Sequence, residues 1–136
     1  FQPVIPETDP AIDPKGVRRV LLTTGKIYYE LVKARESAGA TDTAMIRIER
    51  LYPPPVDEIK AELAKYPSDV EVVWVQDEPA NMGAWPFMAL KLPHHIEGLR
   101  MSRISRPASS SPAVGSAKLH QAEQEALIAR VFGQQK

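Results

Sequence analysis

The feature that most constrains the fold is an apolar run that ends abruptly in a polar segment. The stretch from Val70 to Val75 contains five β-branched or aromatic residues. Such a run is typical of a strand buried on both faces, as in the middle of a parallel sheet. The next residues, Gln76, Asp77 and Glu78, are polar, and Pro79 cannot donate to a strand ladder. We therefore expect the strand to end here, at the edge where α/β sheets meet ligands and partners.

The rest of the chain alternates between strand and helix patterns. Strands are predicted at 19–24, 44–51 and 99–105 besides the central one, and helices at 26–38, 56–66, 84–92 and 117–132. Pro93 is expected to end the third helix, because a proline breaks the helical hydrogen-bond ladder. Strands that alternate with helices predict an α/β domain with a parallel sheet and helices on both faces.

Length and composition predict one domain with an arm. The 136 residues suffice for a single core. Residues 1–16 are proline-rich and acidic and are predicted to form an extended arm or linker, whereas 17–136 form a single α/β domain. The chain begins Phe1-Gln2-Pro3, with neither an initiator methionine nor a signal pattern, so we expect it to be part of something longer.

Composition also argues against several classes of protein. Seventeen basic and 17 acidic residues give zero net charge, which disfavours a nucleic-acid-binding role. No run of about 18 apolar residues occurs, so no membrane span is predicted. The chain has no cysteine, which excludes disulfides and thiol chemistry and is compatible with a cytoplasmic location.

No catalytic constellation can be assembled from the sequence. His94, His95 and His120 lack metal-ligand spacing, and no GxSxG nucleophile motif is present. Asp77 and Glu78 are adjacent, so on an extended chain they point to opposite sides and do not share a proton. We therefore predict no catalytic, cofactor-binding or metal-binding residue in this chain, and no activity of the chain on its own.

The sequence instead offers a recognition surface at the end of the central strand. We predict an interface or domain-docking site formed by residues that follow two neighbouring strands: Gln76, Asp77, Glu78, Asn81, Gly83 and Trp85, with Arg106 and Ser109. Arg103 is expected nearby. Carboxylates, an arginine and a tryptophan suit an interface between subunits or domains. The alternative is structural: Glu78 caps a helix and pairs with Arg106 inside the domain.

A weaker candidate is an anion site at Thr24, Gly25 and Lys26. These residues connect the first predicted strand to the first helix, whose backbone N–H groups could hold an anion. The simpler explanation is that Thr24 caps the helix and Gly25 permits a tight turn. The rival to a docking domain is thus a free-standing anion- or nucleotide-binding α/β module.

Several motifs resemble one known family. They are Thr24–Leu31, Arg47–Pro53, Gln76–Trp85 and Arg106–Gly115, in order and at fitting spacing, preceded by an arm beginning Phe1-Gln2-Pro3. Together they resemble the C-terminal domain of the thiamine-diphosphate-dependent decarboxylating component of 2-oxoglutarate dehydrogenase. Related enzymes that act on pyruvate or branched-chain keto acids remain an alternative.

The resemblance implies a transketolase-like C-terminal domain with a three-layer, mostly parallel sheet of about five strands. It also implies a structural and assembly role, because thiamine diphosphate and magnesium belong to the preceding domains in that family. The implied partners are those thiamine-binding domains, a homodimer mate and the dihydrolipoamide succinyltransferase core. Some family members bind acetyl-CoA through an arginine pair after the proline-rich strand exit. Val56-Asp57-Glu58 occupy that place here, so we do not transfer the activator site.

Overall fold

The computed structural model describes residues 2–79, 81–96, 98–106 and 117–132, with side chains in the last range from residue 121 onward. Its strands are β1 (Val4–Ile5), β2 (Arg19–Thr23), β3 (Thr43–Ile48), β4 (Glu71–Pro79) and β5 (Met101–Arg106). Its α-helices are α1 (Ile27–Ala38), α2 (Val56–Leu63), α3 (Trp85–His95) and α4 (Ala117–Phe132). A short 3-10 helix covers Pro14–Gly16.

The five strands form one sheet in the order β1-β3-β2-β4-β5. Strands β2 to β5 run parallel to one another. Strand β1 pairs with the outer edge of β3 in the antiparallel direction. The carboxyl ends of the four parallel strands therefore share one edge of the sheet, which we call the carboxyl edge. This topology confirms the predicted mostly parallel α/β fold.

Helices cover both faces of the sheet. Ile59 of α2 and Met88 of α3 pack with the fully buried Trp74 on one face. Leu31 of α1 and Leu127 of α4 pack on the other. The alternating side chains of β2 and β4 supply apolar residues to both clusters, as expected for central strands of a parallel sheet. The expected double-sided burial of the central strand is confirmed.

The central strand ends at Pro79, the residue that was expected to stop its ladder. β4 includes the polar residues before it, and Pro79 itself pairs with Arg106 of β5. The ladder shifts register between Val75 and Pro79. Such an irregularity re-aims side chains and lets a proline sit in a strand, because not every position there must donate to the ladder.

Other element ends differ from the expected ones. Helix α3 does not stop before Pro93 but runs to His95. Pro93 lies in the last turn, where its missing N–H forfeits one bond, and the Ile96 N–H still reaches the Leu92 carbonyl at 2.9 Å. Strand β3 ends three residues before the predicted Leu51, and α2 ends three residues before the predicted Tyr66.

The N-terminal arm contributes a strand and buried side chains to the fold. Val4 and Ile12 are 8% and 7% exposed. The Pro3 carbonyl accepts from the N–H groups of Glu49 and Arg50, at 2.8 and 3.3 Å. Since β1 runs antiparallel to β3, the chain enters the domain at the carboxyl edge. The division into an arm (1–16) and a domain (17–136) stays a prediction.

Glu7 fastens the arm to α1 and β3. Both Arg35 terminal nitrogens donate to its carboxylate, at 2.5 and 2.9 Å, and the Met45 N–H donates at 2.8 Å. Both side chains of the ion pair are under 10% exposed. Burial alone would raise the pKa of Glu7. The hydrogen bonds from Arg35 and from the Asp9 and Met45 N–H groups outweigh it and lower that pKa below its ordinary value.

Candidate functional site

The predicted docking residues are organised around the buried side chain of Gln76. Its Oε1 accepts from the Trp74 indole Nε1 at 2.9 Å and from the backbone N–H of Trp85 at 3.0 Å. Its Nε2 donates to the carbonyls of Pro79 and Met82, both at 2.9 Å. Gln76 therefore caps α3 from the strand and ties both ends of the turn that follows β4, a role the sequence did not predict.

Gly83 is required by the shape of this turn. Its φ is +65°, in the left-handed region that favours glycine. A Cβ at this position would lie 2.9 Å from Oε1 of Glu78 and 3.1 Å from Oε1 of Gln76. Both the backbone conformation and the close approach of two side-chain oxygens therefore disfavour any other residue.

The turn presents polar groups to the outside. Glu78 and Asn81 are exposed, and Asp77 is half-buried. No ion pair involving Asp77 or Glu78 forms within the described part of the chain. The two carboxylates belong to the end of β4, immediately before the turn that Gln76 holds.

The structure does not show the alternative in which Glu78 caps a helix and pairs with Arg106. Arg106 turns to α4, where its terminal nitrogens donate at 2.6 Å to Glu123 and, again at 2.6 Å, to Gln124. Helix α3 has no side-chain cap at its N-cap residue. Arg106 is 7% exposed, so it ties β5 to α4 and does not face a partner directly. Ser109 lies outside the described residues.

Strands β4 and β5 are neighbours, as the predicted site requires. The Arg103 guanidinium carbon lies 5.8 Å from the centroid of the half-buried Trp85 ring. The Arg103 Nε donates to the Ser105 hydroxyl at 3.1 Å. The expected proximity of this arginine to the tryptophan is therefore confirmed. The structure brings together Gln76, Asp77, Glu78, Asn81, Gly83 and Trp85; that they form an interface stays a prediction.

The start of α1 after Thr24-Gly25-Lys26 differs from the expectation in how the helix is capped. The N-cap residue is Lys26, and no side chain caps the helix, so the predicted cap by Thr24 is wrong. Gly25 has φ +81°, which confirms its role in a tight turn. The anion site itself stays a prediction.

Sequence reasoning missed a cation beside this segment. Arg47, near the carboxyl end of β3, lies 5.1 and 5.0 Å from the ring centroids of Tyr28 and Tyr29 and donates to the Tyr29 hydroxyl at 2.9 Å. It also pairs with Glu49 at 2.5 Å. The period-two alternation from Met45 could have placed Arg47 on the face of the sheet that α1 covers.

Two of the three histidines lie at the opposite end of α3 from the turn that follows β4. His94 and His95 are exposed in the last turn of α3, with ring centroids 4.9 Å apart in an edge-to-face arrangement. The expected surface position of both is confirmed, although they belong to a helix and not to a loop. The side chain of His120 lies outside the described residues.

The fold defines a class of protein: an α/β domain of the transketolase C-terminal type, in which the predicted docking residues lie at the carboxyl edge. The sequence profile of the family described as 2-oxoglutarate dehydrogenase C-terminal matches residues 1–132. The chain therefore belongs to the 2-oxoglutarate dehydrogenase C-terminal family.

Curated relatives agree with this assignment. The chain is 48% identical, over 97% of its length, to the 2-oxoglutarate dehydrogenase E1/E2 component of Corynebacterium glutamicum. It is 43% identical, over its whole length, to the 2-oxoglutarate dehydrogenase E1 component of Cupriavidus necator. The matched regions make up 11% and 14% of those two proteins. The chain thus spans a small part of the relatives it matches. None of the helices in the described ranges is both long and apolar enough to cross a bilayer.

Proposed function

We propose that this chain is the C-terminal assembly domain of a 2-oxoglutarate dehydrogenase E1 component. In this role it positions and stabilises the catalytic part of the enzyme without supplying a reacting group. The whole enzyme would decarboxylate 2-oxoglutarate with thiamine diphosphate and transfer the succinyl group to a lipoyl group.

The observation that carries this proposal is the family match along nearly the whole chain, combined with the fixed turn at the carboxyl edge. Gln76 uses its amide oxygen and nitrogen to hold that turn, so they are not available for chemistry. The hydrogen bonds of Gln76 hold the backbone that carries Asp77, Glu78 and Asn81 in one arrangement before any partner arrives. Preorganisation of this kind lowers the entropic cost of docking.

Thiamine diphosphate and magnesium are implied by the family. The described residues bring together no group of three or more histidine, aspartate or glutamate side chains that could hold a metal ion. We therefore assign none of this chain's residues to the cofactor and derive no step of the reaction from them.

The proposal includes three partners and a location. The partners are the preceding thiamine-binding domains, a homodimer mate and a dihydrolipoamide succinyltransferase core, and the location is the cytoplasm. The exposed Glu78 and the half-buried Asp77 and Trp85, at the edge where the arm enters, support docking of another domain there.

The test compares 2-oxoglutarate turnover by the chain alone and by the full-length protein that contains it. Both are assayed with thiamine diphosphate, magnesium and an artificial electron acceptor. We expect turnover by the full-length protein only. Turnover by the chain alone, or none by an intact and cofactor-loaded full-length protein, would contradict the proposal. Pyruvate and branched-chain 2-oxo acids serve as competing substrates in the same assay.

A further inference from the structure

An apolar ridge lies on the outside of the domain, on the α3 side of the sheet. It consists of Tyr52, Phe87 and Leu90. The rings of Tyr52 and Phe87 pack together with centroids 4.5 Å apart. Leu90 follows Phe87 by one helical turn, so the two share a face of α3.

Much of the ridge is open to solvent in this chain. Tyr52 is 65% exposed and Leu90 is 69% exposed. Isolated exposed apolar residues are ordinary, but an aromatic pair continued by a leucine is a patch of the kind found at interfaces. Lys91 borders the ridge, with its Nζ 5.8 Å from the Phe87 centroid, and forms no ion pair within the described ranges.

The path of the chain indicates what covers this ridge. The Pro3 carbonyl is bonded to the N–H groups of Glu49 and Arg50, two residues before Tyr52. Any polypeptide that precedes Gln2 would therefore leave the domain at the carboxyl edge, next to the backbone of Glu49 and Arg50. In the relatives, the matched region is only 11–14% of the protein, and the family is the C-terminal one. Most of such a protein would thus emerge next to the ridge.

We propose that the ridge of Tyr52, Phe87 and Leu90 is the docking surface for the part of the same polypeptide that precedes this chain. This inference rests on the proposed function, in which the chain is the C-terminal part of a longer enzyme. The complementary surface is apolar and carries a carboxylate or a carbonyl opposite Lys91. The short path from Pro3 favours docking within one polypeptide, because a short connection gives a high effective concentration.

Hydroxyl-radical footprinting of the full-length protein tests this surface. Tyr29 is the matched reference, since it is 58% exposed in this chain and belongs to α1 on the other side of the sheet. Each tyrosine's oxidation rate is divided by its rate in the urea-unfolded protein. We expect this ratio for Tyr52 to be roughly threefold or more below that of Tyr29, as for a residue inside an interface. Equal ratios would overturn the proposal.

A pair of variants distinguishes docking from local shielding. Leu90→Glu in the full-length protein should raise the Tyr52 ratio to that of Tyr29. Ala129→Glu, which adds the same charge at an exposed position of α4, should leave it unchanged. Continued protection of Tyr52 in Leu90→Glu would overturn the proposal. So would protection that is lost when the protein is diluted to monomers, or that requires added succinyltransferase, since another molecule would then cover the ridge.

The docking surface and the proposed function can fail separately. An active 2-oxoglutarate decarboxylase whose Tyr52 reacts like Tyr29 would overturn the docking surface and leave the function standing. A full-length protein that protects Tyr52 but does not turn over 2-oxoglutarate would contradict the function and leave the docking surface standing.

Discussion

At the scale of single residues, Gln76 determines the shape of the candidate site. Its amide satisfies an indole N–H, a helix N–H and two turn carbonyls in a buried position. Gln76→Met keeps the volume but leaves these groups without partners. We expect the free energy of unfolding to fall by about 2–4 kcal/mol, because unsatisfied buried polar groups are costly. Urea denaturation measures the change.

An exposed glutamine provides the control for this substitution. Gln121→Met on α4 alters a solvent-exposed side chain and should change the free energy of unfolding by less than about 0.5 kcal/mol. If the two variants were equally stable, the hydrogen bonds of Gln76 would not hold the turn.

Gly83 and Gly39 form a natural pair for testing the close approach of Glu78. Both have positive φ, +65° and +64°, but a Cβ at Gly39 would meet nothing within 4 Å. Gly39→Ala should cost only the left-handed backbone strain of about 1–2 kcal/mol. Gly83→Ala should cost more, because the methyl group meets the Glu78 carboxylate.

The double variant Gly83→Ala with Glu78→Ala isolates that contact. It should reduce the excess cost of the glycine substitution over Gly39→Ala and leave the part that comes from Oε1 of Gln76, as measured in a double-mutant cycle by urea denaturation. If the excess cost at Gly83 were undiminished without Glu78, the conclusion that this carboxylate lies against the turn would be wrong.

At the scale of elements, the buried ion pair between Glu7 and Arg35 joins the N-terminal arm to α1. Glu7→Gln should destabilise the domain by up to roughly 3–5 kcal/mol at neutral pH. It leaves the buried Arg35 charge with the more exposed Asp9, at 3.7 Å, as its remaining carboxylate partner. Glu36→Gln, at an exposed position of α1, is the control and should have little effect.

The effect of Glu7 should depend on pH in one direction. The folded-state pKa lies below the ordinary value, so the unfolded state binds the proton more readily. Glu7 therefore contributes stability above about pH 4, near its unfolded pKa, and that stability is lost as the pH falls through the folded pKa. Denaturation of wild type and Glu7→Gln between pH 3 and 7 should show their difference shrinking at acid pH. A constant difference would contradict the assigned ion pair.

Periodicity was sufficient to predict most elements but not the contacts between distant ones. The apolar run of β4 predicted a doubly buried strand, because that pattern is local. The contact of Glu7 with Arg35 joins an arm to a helix far along the chain, and no local pattern reveals it. One signal was present: Ile27, Leu31 and Arg35 are spaced by one helical turn, which places Arg35 on the buried face of α1.

The candidate site was predictable to a similar extent. Residue type and position at a strand end identified the cluster from Gln76 to Trp85. The end of the strand at Pro79 was predicted, but the register shift between Val75 and Pro79 was not, because it depends on the neighbouring strand. The pairing of Arg106 with α4 likewise depends on packing across elements, and it takes the place of the alternative pairing with Glu78.

At the scale of the whole molecule, the central claim is that this chain supports assembly of a 2-oxoglutarate dehydrogenase and supplies no reacting group. The most direct test is Gln76→Met in the full-length protein, with 2-oxoglutarate turnover measured together with the mass of the assembled enzyme by light scattering. We predict that turnover falls in proportion to the loss of assembled enzyme, while kcat per assembled enzyme and KM stay at their wild-type values. A variant that remained fully assembled but lost turnover would contradict the account.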